Sequence, residues 1–109
     1  MDKIKYSISE DFSRKPGLRT RDQSDNSGQE FLEDVLLPLF EKAIKEKKII
    51  EINLDNTFGY GPSFLEESFG GLARLKKTKN ILQHLSFVSI EEPYLVNEIE
   101  EYISDAKSS

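Results

Sequence analysis

Residues 48–54, KIIEINL, place three isoleucines in a very short run between stretches whose apolar residues recur at helical spacing. So short and dense a run reads as a central strand covered on both faces. Residues 3–9, KIKYSIS, alternate instead, with Ile4, Tyr6 and Ile8 on one face of a half-buried strand. Residues 84–90, HLSFVSI, bring Leu85, Phe87 and Val88 into a further strand. The basic stretch LRTR, 18–21, can return against the first strand as a short hairpin arm after the Pro16-Gly17 turn.

Helical segments separate these strands. Ser27-Gly28-Gln29-Glu30 is a capping box, followed at helical spacing by Phe31, Leu32, Val35, Leu36, Leu39, Phe40, Ala43 and Ile44. Pro38 falls inside this helix and predicts a kink. A second helix follows the glycine-rich turn and runs to about Lys79. A third opens at Glu91-Glu92-Pro93 and carries Leu95, Val96, Ile99, Tyr102, Ile103 and Ala106 as its apolar stripe. The order β-(β)-α-β-α-β-α predicts one α/β layered domain over residues 1–109, with its core within 3–106. A mixed sheet of about four strands with three or four helices is expected.

Composition narrows the function. The chain of 109 residues has no cysteine and one histidine, His84, which excludes thiolate chemistry and argues against a metal centre. A net charge of −5 argues against a general nucleic-acid binder. No apolar run approaches a membrane span, and the start, MDKIKYSISEDF, has no signal-peptide core. A cytoplasmic protein without a cofactor is expected.

Four of the six glycines lie in DNTFGYGPSFLEESFGGLARL, residues 55–75. Gly59 and Gly61 permit positive φ or close backbone approach, and Pro62 fixes φ just before Ser63. Ser63-Phe64-Leu65-Glu66 repeats the capping-box pattern, so Ser63 is expected as N-cap of the second helix. Capping alone accounts for such a serine. A helix start beyond a strand's carboxyl end is also where α/β proteins gather ligands, and its dipole favours a phosphate. Glu66 and Glu67 in the first turn oppose one. Tyr60, between two glycines, and Phe64 are expected as partner contacts. Gly70-Gly71 implies close packing, against the sheet or another chain.

The string INLDNTFGYGPSFLEESFGGLAR, with FSRKPGLRTR and SGQEFLEDVLLP upstream, resembles the bacterial STAS-like domains of unknown function over roughly residues 4–106. That family is similar to the anti-sigma factor antagonists, small α/β proteins with a regulatory serine at the helix after a central strand. The resemblance implies a non-enzymatic regulator and a protein partner, a histidine-kinase-like ATPase, and it puts Ser63 at or beside the regulatory serine as a candidate phosphosite. Pro62-Ser63 stands where those antagonists carry an aspartate-serine pair, in a turn about one residue longer, and the last strand and helix of longer STAS domains are missing.

Two other readings compete. A nucleotide or other phosphate ligand could be held by the helix start and by Arg19 of the basic loop, which also holds Arg14, Lys15 and Arg21, with Arg74 a further cation. A small acidic inhibitory decoy, of the kind mobile elements encode, is the other. Ser63 as a hydrolase nucleophile has little support, because GYGPSFL lacks the G-x-S-x-G elbow.

Overall fold

In a computed structural model, which describes residues 2–77 and 79–108, three strands form one sheet: β1 (Lys3–Ser7), β2 (Ile49–Asn53) and β3 (Leu85–Val88). Their spatial order is β1-β2-β3 and both pairings are parallel. Ile4 lies opposite Ile50, and Tyr6 and Phe87 flank Ile52, so the apolar residues share one face. Ile50 and Ile52 are fully buried there, while Ile49, Glu51 and Asn53 on the other face are half-buried. Glu51 on that second face pairs with Lys3 at 3.1 Å. β2 is therefore central but sealed on one face only, which corrects the expectation of two covered faces.

The sheet is parallel and three-stranded among the described residues, not mixed and four-stranded. Residues 18–21 account for the difference. Their carbonyls serve a helix start: Gly28 donates its amide to the Leu18 oxygen and Gln29 to the Arg19 oxygen, both at 2.9 Å. First-turn amides have no partner within a helix, so this segment satisfies them and is unavailable as a hairpin arm.

That helix, α1 (residues 28–46), begins at Ser27, whose Oγ accepts from the Glu30 amide at 3.0 Å. It contains a wide π turn at Leu32–Leu36, after which Leu37–Glu46 resumes as α-helix with Pro38 in its first turn. The π turn absorbs the defect that the missing proline amide creates. Lys47 closes α1 in the left-handed region, at φ 57°. α2 (residues 62–75) likewise holds a π turn, Glu66–Gly70, between Pro62–Leu65 and Gly71–Leu75. A 3-10 turn at Ile81–His84 precedes β3, and α3 (Tyr94–Ser108) packs against α2 through Leu95, Ile99 and Ile103.

α1 and α2 cross at very short range. A Cβ on Gly28 would stand 2.8 Å from the Phe64 carbonyl oxygen, and one on Gly71 would stand 2.7 Å from Leu32 Cδ2. The close packing expected at Gly70-Gly71 is thus helix on helix within the chain. Phe31 sits at the middle of an aromatic cluster, with ring centroids at 5.1 Å to Phe12, 5.7 Å to Phe64 and 6.1 Å to both Tyr6 and Phe69. Burial, with Asp11 nearby adding to it, pushes the Tyr6 phenol up to about 12. No helix among the described residues is long and apolar enough to cross a membrane.

Candidate functional site

The loops that leave the carboxyl ends of the strands are tied to one another. Asp55, directly beyond β2 and buried, accepts from the Ile90 amide at 3.1 Å and from the Glu91 amide at 3.0 Å. The Asn56 amide, in a residue at φ 69°, donates to Glu91 Oε1 at 2.8 Å. The Phe58 amide donates to the Arg14 carbonyl oxygen at 2.8 Å, which joins the loop after β1 to the same edge. Three loops are thereby fixed as one rim.

Within this rim the turn 59–63 has a clear division of labour. Gly59 has φ +118°, which side chains rarely tolerate, so glycine is required. Gly61 has φ −75° and no atom within 4 Å of where a Cβ would stand, so the fold itself places no demand for glycine there. Gly61 is the N-cap of α2: its carbonyl accepts from the Leu65 amide at 3.4 Å, and Pro62 takes the first helical position.

Ser63 is therefore the second helical residue and not the expected N-cap. It is partly exposed, and its hydroxyl has no hydrogen-bond partner among the described residues. Glu66 does not close a capping box with it. Its carboxylate instead pairs with Arg19 at 2.6 Å and with Arg74 at 2.5 Å. Arg19 also reaches Glu67 at 3.1 Å. The Arg74 hydrogen bond, reinforced by the one from Arg19, holds the Glu66 carboxyl below its ordinary range against the opposing effect of burial.

The two aromatic contacts expected for a partner point elsewhere. Phe64 is fully buried, wedged against Phe31, Phe12 and Tyr60. Tyr60 folds back, its hydroxyl donating to the Leu54 carbonyl oxygen at 2.8 Å and its ring 5.9 Å from that of Phe64. Burial, above all, pushes its phenol well above the ordinary range. Both side chains brace the turn from inside; Phe64 is thereby withdrawn from the surface, while Tyr60 stays half-buried at the rim. Arg19 and Arg74 are brought together, but by Glu66, which occupies the charge a phosphate would need. Arg21 is likewise engaged, by Glu33 at 3.2 Å and Asp34 at 2.9 Å. Among the described residues no group of three or more acidic, histidine or cysteine side chains could hold a metal ion.

The rim also carries residues that periodicity did not single out. Phe58 is 78% exposed and Ile90 80%, the highest values among the large apolar side chains of the described residues. A cleft of about 230 Å³ opens beside Phe58, lined also by Arg14, Asn56, Thr57 and Glu91. Phe58 sits in the turn between β2 and α2, outside the apolar stripe of either element, and its place among Asn56, Thr57 and Gly59 was the available signal.

The fold and its rim thus define a small parallel α/β domain with Ser63 in the first turn of α2. The match to a family model over residues 27–95 makes the membership plain: the chain belongs to the family of STAS-like domains of unknown function. The matched segment runs from the cap of α1 into α3 and contains the whole 55–75 turn and helix. No curated protein and no solved structure matches the chain.

Proposed function

We propose that this domain is a non-enzymatic regulator that binds a protein partner through the rim at the carboxyl edge of its sheet, with Ser63 as the residue through which binding is controlled. The observation that carries this reading is the state of Ser63: a partly exposed hydroxyl with no hydrogen-bond partner among the described residues, two positions after a glycine that the fold does not require. A backbone left bare at Gly61 allows another molecule to approach α2 at its start. The helix start would stabilise a phosphate on Ser63. Glu66 and Glu67, which oppose one on sequence grounds, are ion-paired to Arg19 and Arg74. The family resemblance supplies the partner class, a histidine-kinase-like ATPase.

The phosphate-ligand alternative draws less support, because the cations it assigned to the ligand are held by carboxylates of the chain itself. The test is direct. Purified chain and a candidate ATPase of this class are incubated with labelled ATP. Label is expected in the wild type and absent from Ser63→Ala, and equal label in both would end the assignment of Ser63. Complex formation in the same mixture is expected to fall at least tenfold for Ser63→Glu. A Ser63→Glu variant captured as well as wild type would remove the turn from the interface.

A further inference from the structure

The exposed aromatic ring beside Ser63's turn has a chemistry of its own. Phe58 is held in place and not merely left outside: its amide is bound to Arg14, the residues before it are tied to Glu91, and Gly59 after it donates to Thr57 Oγ1 at 3.2 Å. A fixed, exposed ring loses little conformational freedom when it binds, which suits an anchor in an interface. The Lys15 ammonium lies 5.7 Å from its centroid. Arg14 lines the adjoining cleft. Neither Arg14 nor Lys15 is within ion-pair distance of a carboxylate among the described residues, whereas Arg19, Arg21 and Arg74 all are. The one carboxylate on the cleft, Glu91, is already engaged by the Asn56 amide. In a chain of net charge −5, this is a local cationic and aromatic surface.

We infer that Phe58, Arg14 and Lys15 form the docking surface for an acidic segment of a protein partner, one that lays an apolar side chain against Phe58 while its carboxylates meet the two free cations. This rests on reading the carboxyl rim as the docking side and adds the chemistry of what docks. Desolvated next to an aromatic face, such cations discriminate strongly against basic partners and speed the approach of acidic ones.

The test uses the full chain and a displayed library of random linear peptides. Enriched peptides are expected to combine aspartate or glutamate with a neighbouring aromatic or aliphatic residue. Their affinity is expected to drop at least tenfold for Phe58→Ala and for the double change Arg14→Glu, Lys15→Glu, and to weaken with salt. A change at the exposed Lys45 on α1, Lys45→Ala, should bind them as wild type does, and labelling of Ser63 by the ATPase is measured apart from peptide binding, so failure of the serine's role and failure of this surface are read separately. Phe58 is exposed, so its truncation does not threaten the fold. Enrichment of basic or uncharged peptides, no enrichment at all, or acidic peptides that bind Phe58→Ala unchanged would overturn the inference.

Discussion

Arg19 reaches from the loop after β1 to Glu66 in α2, 47 positions away in sequence, with 2.6 Å between the paired atoms. Glu66 takes Arg74 on its other oxygen, so one carboxylate ties the basic loop to two points of α2. The arrangement orders the irregular segment between the π turn Ile8–Phe12 and α1, and it removes Arg19 and Arg74 from the pool of cations free to meet a ligand.

Glu66→Gln should lose up to about 1 kcal/mol at neutral pH, the range for pairs as exposed as these. The folded-state carboxyl of Glu66 is depressed from its ordinary 4.5, with the Arg74 hydrogen bond the largest cause. Its stabilisation is therefore present above that value and is lost as pH falls through the folded-state value. Urea unfolding should separate variant from wild type at pH 7, with the gap narrowing progressively as pH falls below 4.5. A gap that persists in acid would show that the contribution is not ionic.

Removal of the Tyr60 hydroxyl tests the inner brace of the turn. Tyr60→Phe leaves the Leu54 carbonyl without its 2.8 Å donor, at a cost of about 1 kcal/mol. In alkali the sign reverses. The folded phenol is raised above 10.0, so stability is intact below that pH and falls above it, as the unfolded chain ionises first. The variant should lose less stability than wild type between pH 9 and 11 by chemical denaturation. Parallel curves would place the phenol in solvent.

The glycines divide by what surrounds them. Gly28→Ala drives a Cβ onto the Phe64 carbonyl oxygen, a backbone atom 2.8 Å away, and should cost about 1–3 kcal/mol. Gly61→Ala meets nothing and has an ordinary φ, so stability should be unchanged or rise by up to about 1 kcal/mol. A Gly61→Ala protein of full stability but reduced partner binding is the combination expected here. Thermal unfolding with a binding assay on the same samples measures both.

Asp55→Asn keeps the shape of the side chain but replaces one acceptor by a donor, against the amides of Ile90 and Glu91. A loss of about 1–3 kcal/mol is expected. Amide hydrogen exchange should quicken at Ile90 and Glu91 before it does in β2. Uniform quickening across the sheet would instead mark Asp55 as part of the global fold.

Much of this was legible from the chain itself. Period-2 alternation placed β1 but carried it too far, since Ile8 and Ser9, read as strand, open a π turn at Ile8–Phe12 capped by Ser7; the isoleucine run placed β2, and the Ser27 cap placed the start of α1 to the residue. LRTR does not pair as a hairpin arm because charge and alternation cannot reveal that its carbonyls serve a helix start ten positions later, at Gly28 and Gln29. Ser63 falls two positions after the N-cap, Gly61, because the capping-box pattern matches locally while Arg19 and Arg74 draw Glu66 away. Phe64 and Tyr60 looked available in a glycine-rich turn, yet the aromatic cluster around Phe31 takes both inward. Phe58 lies between elements, where spacing does not tell an inward ring from an outward one, and the closed rim shows it held in solvent.

The central claim is that the rim meets another protein at Ser63. Its most direct measurement is in-cell photocrosslinking, with a photoreactive residue at position 63 and, as control, at the exposed Lys45 on α1. A discrete heavier adduct containing one partner protein at 63, absent at 45, is the predicted result. Adducts at 45 with none at 63 would contradict it.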